Sequence, residues 1–280
     1  MGFAADYLEQ LARFARRVPA LPRVRALHLP ADPPPGGSGT RGAFCALELD
    51  DGSLGSSYVL LDDTLARLHG ADAALGLAGA DAFEVARHFV GADPALRTIG
   101  FAAANAMTRC LFDRAGWQPD ASADSLGALD AKPGEHVGMI GLFSPLLQRV
   151  LASGARLTVV ELQPQLAGER DGYRVTLDAA ALRACDKVLA TGTLVLNDSL
   201  DRMLALCERA RWIAMLGPSM GCLPDALFSR GVSLVGGSWV LDGPAYVDAL
   251  RCGAMRSAAA RKMTISARHY PGFEALLTRL

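Results

Sequence analysis

The chain lacks most features that would place a protein at once. No run of 18 apolar residues occurs, so no membrane-spanning helix is expected. No excess of one charge exists: 28 Lys and Arg stand against 29 Asp and Glu, interspersed, for a net charge of −1. That balance argues against a nucleic-acid partner, which would call for a basic stripe. The first residues, Met1 to Asp6, lack the basic-then-apolar order of a signal peptide, and Asp6 stands where a myristoylation start needs Ser or Thr. A cytoplasmic protein is expected. The six cysteines (Cys45, Cys110, Cys185, Cys207, Cys222 and Cys252) show no CxxC pair and no structural-zinc spacing, which predicts reduced, mostly buried thiols. What is present is apolar: 51% of 280 residues, enough to bury a core in one large domain or two modest ones.

Residues 4–17 carry apolar groups at Leu8, Leu11, Phe14 and Ala15, followed by Val18, which is helical spacing. Residues 22–29 suit a strand, and Asp32–Gly39 is irregular by its Pro and Gly content. Alternating stretches at 43–49 and 56–61 flank Asp50-Asp51-Gly52 and predict a β-hairpin. From Asp63 to Ala115 the pattern is helical, with breaks near Gly70, Gly79 and Gly91–Pro94. Residues 1–118 thus predict an α+β domain. Residues 119–134 hold few periodic apolar positions and predict a connection, with one helical turn near 125–129.

From 135 to 280 the rhythm changes. Apolar strands near 136–141, 156–161, 187–191, 212–216 and 232–235 alternate with helical segments. Strands without in/out alternation, separated by helices, predict a parallel sheet covered on both faces, hence an α/β fold. A last strand near 262–266 and a short helix at 272–279 close the chain. In such a sheet, ligands bind outside the carboxyl ends of the strands. This rule selects the turns Gly141–Ser144, Glu161, Thr191–Thr193, Gly217–Ser219 and Gly236–Ser238, whose glycines and hydroxyls suit a polar or anionic ligand. His136 opens its strand and so belongs to the opposite edge, with a structural role.

Gly138 and Gly141 form only part of a dinucleotide fingerprint, and Pro145 stands where its helix would open. Glu161, twenty residues after Gly141, is placed either to hold a ribose hydroxyl pair or to serve as a helix cap or surface acid. Asn197 and Asp198 precede a helix that one of them would cap. Cys222 lies just before a helix start, where the dipole would lower a thiol pKa. It is read either as a metal ligand or nucleophile, or as an inert core thiol. No Ser-His-Asp or Cys-His arrangement is apparent, and no catalytic residue is assigned.

The stretches Lys132–Pro145, Glu161–Pro164, Thr191–Asn197, Leu216–Ser219, Leu223–Phe228 and Gly231–Gly237 resemble, in order, a bacterial and archaeal family of heavy-metal-chelation proteins, the DUF364 domain. Ala102–Ala106, with Asn105 at its centre, resembles the element closing its companion DUF4213 domain. The resemblance implies a Rossmann-like domain preceded by an enolase-N-terminal-like domain. It also implies an inter-domain cleft, a homodimer, and binding of a transition-metal ion or a metal-related small molecule. Met220-Gly221-Cys222 and Cys252–Met255 depart from the family pattern; both add sulfur donors that suit a soft metal, or are ordinary apolar substitutions. The expected ligand-binding set is Gly141, Phe143, Ser144, Glu161, Thr191, Gly192, Thr193, Asn197, Gly217, Pro218, Ser219 and Asn105, with Glu161 and Cys222 as metal ligands. Two other functions compete: an enzyme acting on a nucleotide-type or other anionic metabolite at the same strand ends, and a dimeric scaffold with a vestigial cleft.

Overall fold

The computed structural model describes residues 2–31, 43–59, 61, 63–71, 76–122, 128–252 and 258–280. The expected irregular segment Asp32–Gly39, the larger part of the helical turn near 125–129, and positions 253–255 lie outside these. The first half begins with helix α1 (Phe3–Arg17), which buries Phe3, Tyr7, Leu8, Leu11 and Phe14 at helical spacing. Strands β1 (Val24–His28), β2 (Phe44–Leu49) and β3 (Leu54–Tyr58) form an antiparallel meander. Its β2–β3 turn is closed by Gly52 at φ +86° and by Asp51, whose carboxylate accepts the Ser53 N–H at 2.9 Å. Helices α2 (Thr64–Ala71), α3 (Ala82–Ala86) and α4 (Pro94–Arg114) follow.

Helix α4 organises this half. Asp93 caps it by accepting the Ala95 and Leu96 amides, and Pro94 takes the first turn, where its missing N–H has no consequence. Residues from Ala95 to Phe112 are buried almost all round, as expected for a helix enclosed by its own protein. Small residues permit this: a Cβ at Gly55 of β3 would lie 2.1 Å from the Ala106 nitrogen and 2.2 Å from the Ala102 oxygen.

The short strand β4 (Asp120–Ala121), within the stretch expected to connect the halves, pairs at the edge of a second, nine-stranded sheet. That sheet is built from β5 (His136–Ile140), α5 (Ser144–Ala152), β6 (Arg156–Val160), the hairpin β7 (Gly168–Arg170) and β8 (Tyr173–Thr176), and β9 (Lys187–Thr191). After these come α6 (Leu200–Ala205), β10 (Trp212–Leu216), α7 (Asp225–Phe228), β11 (Leu234–Val240), α8 (Gly243–Arg251), β12 (Ala260–Ser266) and α9 (Phe273–Leu277). The spatial order is β4-β12-β11-β10-β9-β5-β6-β8-β7, with the six strands from β11 to β8 parallel and β4, β12 and β7 antiparallel at the edges.

Successive side chains of the central strands enter different cores. Val137, Met139, Val159 and Leu189 pack on one face. Ile140, Val188 and Ala190 join a cluster on the other face that continues into Leu47, Phe101 and Tyr7 of the first half. The two sheets therefore share one buried apolar mass.

Two expectations are corrected. The β7–β8 hairpin was not anticipated, and β11 runs on to Val240, so Gly236–Ser238 is strand rather than turn. Its glycines serve close packing: a Cβ at Gly237 would lie 2.6 Å from the Met220 oxygen.

Candidate functional site between the two sheets

In order of sequence the parallel strands run third, second, first, fourth, fifth, sixth across the sheet, and direction of travel reverses between β5 and β9. Ligands in open α/β sheets bind outside the carboxyl ends at such a reversal. There the chain turns at Gly141, whose φ of +83° and 3.1 Å approach to the Thr191 Cγ2 suit glycine. The turn is filled by its own neighbours. Glu161 accepts the Leu142 N–H at 2.7 Å and the Leu162 N–H at 3.0 Å, so its carboxylate occupies an amide that would otherwise face a ligand. The Phe143 carbonyl accepts from Leu146 at 2.8 Å, and Phe143 packs half-buried on the core. Ser144 opens α5; its side chain lies outside the described residues.

The second turn is also self-satisfied. The Thr191 hydroxyl lies 3.1 Å from that of Thr193 and accepts the Thr193 N–H at 3.3 Å. Gly192 admits Met220, whose Sδ would be 2.7 Å from an added Cβ. Asn197 Oδ1 accepts the Ser199 N–H at 3.2 Å and its hydroxyl at 2.5 Å, so it shapes the turn into α6, where Ser199 occupies the cap position. Asp198, at φ +55°, pairs with Arg97 of α4 at 2.7 Å.

The third turn leads to the cleft between the halves. The Gly217 N–H donates to the Gly236 carbonyl at 3.0 Å. Ser219 is buried, and its carbonyl accepts from Asn105 Nδ2 at 2.8 Å. The same Asn105 nitrogen donates to the Ser56 carbonyl at 2.9 Å, and its Oδ1 accepts from the Tyr7 hydroxyl at 3.2 Å. Asn105 thus ties β3, α4, α1 and the turn after β10 together.

Beside it lies a cavity of ≈ 30 Å³ walled by Ser56, Asn105, Arg109, Ser238, Trp239 and Tyr246, with Pro218 and Gly221 on the large-sheet side. The volume is that of a water molecule or a small end group. Arg109 is held rigidly. Its Nε donates to Asp113 at 2.7 Å, its Nη1 donates to the Val240 carbonyl at 2.8 Å, and its guanidinium carbon lies 3.9 Å from the Trp239 ring centre. The Tyr246 hydroxyl is buried without a hydrogen bond of good geometry. Burial raises its pKa, the neighbouring Ser56 acting in the opposite direction.

Of the expected set, Asn105 and Pro218 line this cavity and Ser219 is tied to it through Asn105, whereas the β5, β6 and β9 turns satisfy themselves. Arg109, Trp239 and Tyr246 were not anticipated. Only Arg109 carried a sequence signal: with Arg97 it is one of two cations within the buried stretch of α4.

The residues present do not fit a metal ion held by protein side chains alone. Cys222 is fully buried, and burial pushes its thiol up to about 12, opposite to the direction expected at a helix start. The helix it precedes, α7, is four residues long and capped by Pro224, too short for much dipole. Cys252 is exposed and the other five cysteines are buried, in keeping with mostly buried thiols. Glu161 is engaged by two amides. Among the described residues, no three His, Cys, Asp or Glu side chains are grouped as metal ligands.

The fold and cleft define a Rossmann-like protein with an appended α+β half. Its family is DUF364, to which the chain belongs: that model, described as "Putative heavy-metal chelation", matches residues 124–267, just over half the chain. DUF4213, described in the same words, matches residues 42–108. An uncharacterized protein of Methanocaldococcus jannaschii is 29% identical over 150 residues; the match spans 52% of this chain and only 55% of that relative's length. A DUF364 protein of unknown function from Desulfitobacterium hafniense DCB-2 is 20% identical with a TM-score of 0.67, covering 95% of this chain and 98% of that one. A second, from Pyrococcus horikoshii, is 17% identical with a TM-score of 0.66, covering 95% and 100%. At these identities the likeness shows the fold. Among the described residues no helix is long and apolar enough to cross a membrane.

Proposed function

We propose that the chain is a binding protein that holds a small polar molecule, or a metal complex of that molecule, in the cavity between the two sheets. The observation that carries this is the buried Tyr246 hydroxyl, left without a sound hydrogen bond in a cavity walled by both halves of the chain. Buried polar groups are ordinarily paired, and of the exceptions among the described residues Tyr246 is the one whose residue lines this cavity. The family description supports a link to metal. With no three-ligand group among the described residues, the metal's remaining ligands come from the small molecule. Occupation of Glu161 by the Leu142 and Leu162 amides weighs against a nucleotide ribose at the first turn.

The test is metal analysis paired with native mass measurement on protein purified without chelators. The expected outcome is an organic mass and a metal in equal amounts that leave together on unfolding. Stoichiometric, tight uptake of bare Zn²⁺ with no organic mass would overturn the proposal.

A further inference from the structure

The chemistry of the cavity wall is one-sided. Among the described residues that line it, none is Asp, Glu, His or Cys, so the wall offers a cation no charged or soft ligand. The donors are the Arg109 Nη2, which makes none of that residue's hydrogen bonds to protein, the Tyr246 hydroxyl, whose one polar neighbour is Ser56, and the hydroxyls of Ser56 and Ser238. Asp113 accepts from the Arg109 Nε and the Val240 carbonyl from its Nη1, which leaves Nη2 as the nitrogen without a hydrogen bond among the described residues. The Trp239 ring fixes the guanidinium plane, so little conformational freedom remains to be lost on binding.

We infer that this cavity is a seat for a carboxylate end group, with Arg109 Nη2 and the Tyr246 hydroxyl donating to its oxygens. Charge-assisted bonds of this kind are short and strong. A tyrosine hydroxyl keeps its proton through the neutral range, and burial raises its pKa further. The seat rests on the binding function proposed above and names the class of ligand: a carboxylate-bearing molecule whose remaining atoms project toward the cleft mouth, any metal being held outside the seat.

The experiment compares formate and acetate with chloride and inorganic phosphate at matched ionic strength and neutral pH. Thermal midpoints are read on the full chain and on Tyr246→Phe and Arg109→Gln. A carboxylate-specific rise is expected in the parent. In Tyr246→Phe it weakens about tenfold or more in affinity, as befits one lost hydrogen bond to a charged group, and in Arg109→Gln it disappears. Tyr246→Phe keeps the test sound if Arg109→Gln folds poorly, since it removes only the hydroxyl and keeps the buried ring. Equal shifts with chloride, a response to phosphate alone, or an undiminished response in Tyr246→Phe would overturn the seat. Its failure is separable from that of the binding function. An organic mass that co-purifies equally with Tyr246→Phe would leave the function and remove the seat. A carboxylate response from protein that never carries an organic mass would do the reverse.

Discussion

The two ends of the large sheet are built from the same strands and differ in how they place charged groups. At the amino end these pair with one another. Glu135 pairs with Lys187 at 2.9 Å and with Arg211, and accepts the Lys132 N–H at 3.0 Å. Lys187 also donates to the Asp130 carbonyl at 2.6 Å. His136, placed at this edge by its position at the start of β5, has Arg156 donating to Nδ1 at 2.8 Å and the Thr158 hydroxyl 2.8 Å from Nε2. Asp186 accepts the His136 N–H at 2.8 Å. At the carboxyl end, toward the other half of the chain, the Arg109 Nη2 has no acceptor among the described residues, and the buried Tyr246 hydroxyl has only the neighbouring Ser56. The paired end contributes stability and its pH dependence; the other end keeps its capacity for a ligand.

The wall of the cavity offers the largest way to break this contrast. Gly55→Ala drives a methyl group into the backbone of α4, where neither the Ala106 nitrogen nor the Ala102 oxygen can yield. A loss of about 3 kcal/mol or more is expected in urea unfolding; an unchanged midpoint would show that β3 and α4 do not approach as described.

Next in size is Asn105→Ala, which leaves the Ser56 and Ser219 carbonyls short of a partner and the Tyr7 hydroxyl with Thr108 alone. About 2–4 kcal/mol should be lost, since buried groups left unpaired carry their full desolvation penalty. Because Asn105 brackets the cavity without presenting a free donor, the loss should exceed any change caused by Tyr246→Phe. The reverse ranking in chemical denaturation would make Tyr246 the structural residue.

The smallest effect is at the amino end and depends on pH. Burial, and then the Arg156 charge, lower the pKa of His136 from 6.5, so the folded state prefers the neutral ring. Its contribution is complete above 6.5 and is lost as pH falls through the lowered value. Glu135 and Asp186 are lowered from 4.5 and 3.8, chiefly by hydrogen bonds from Lys187 and from the His136 amide respectively. Their stabilisation is present above those values and is lost further into acid. Thermal midpoints should decline in two stages on acidification, and His136→Gln should remove the first; a single-stage decline unaffected by that change would separate His136 from the fold's acid response.

Much of the fold was legible. The α1 stripe, the Asp51–Gly52 turn, the Asp93–Pro94 start of α4 and the parallel strands all follow from periodicity and capping within a few residues of chain. The β7–β8 hairpin was not legible, because its edge strands are short and carry exposed polar groups. Gly236 and Gly237 resembled a turn, but they are needed because Leu216 and Met220 press on β11. Cys222 was misjudged for the same reason: its place before a helix is local, whereas its burial is imposed by distant elements. The site was legible only at Asn105, Pro218 and Ser219.

By itself the sequence determined the kinds of element, their order, and the covered parallel sheet, because apolar period, glycine conformation and helix capping act between near neighbours. Only the tertiary structure decided which polar groups are left over. Whether a hydrogen-bonding group is paired depends on everything packed around it. Arg109 on α4, Ser56 on β3, Ser238 on β11 and Tyr246 on α8 become one set of donors only when the two sheets close over the same cavity.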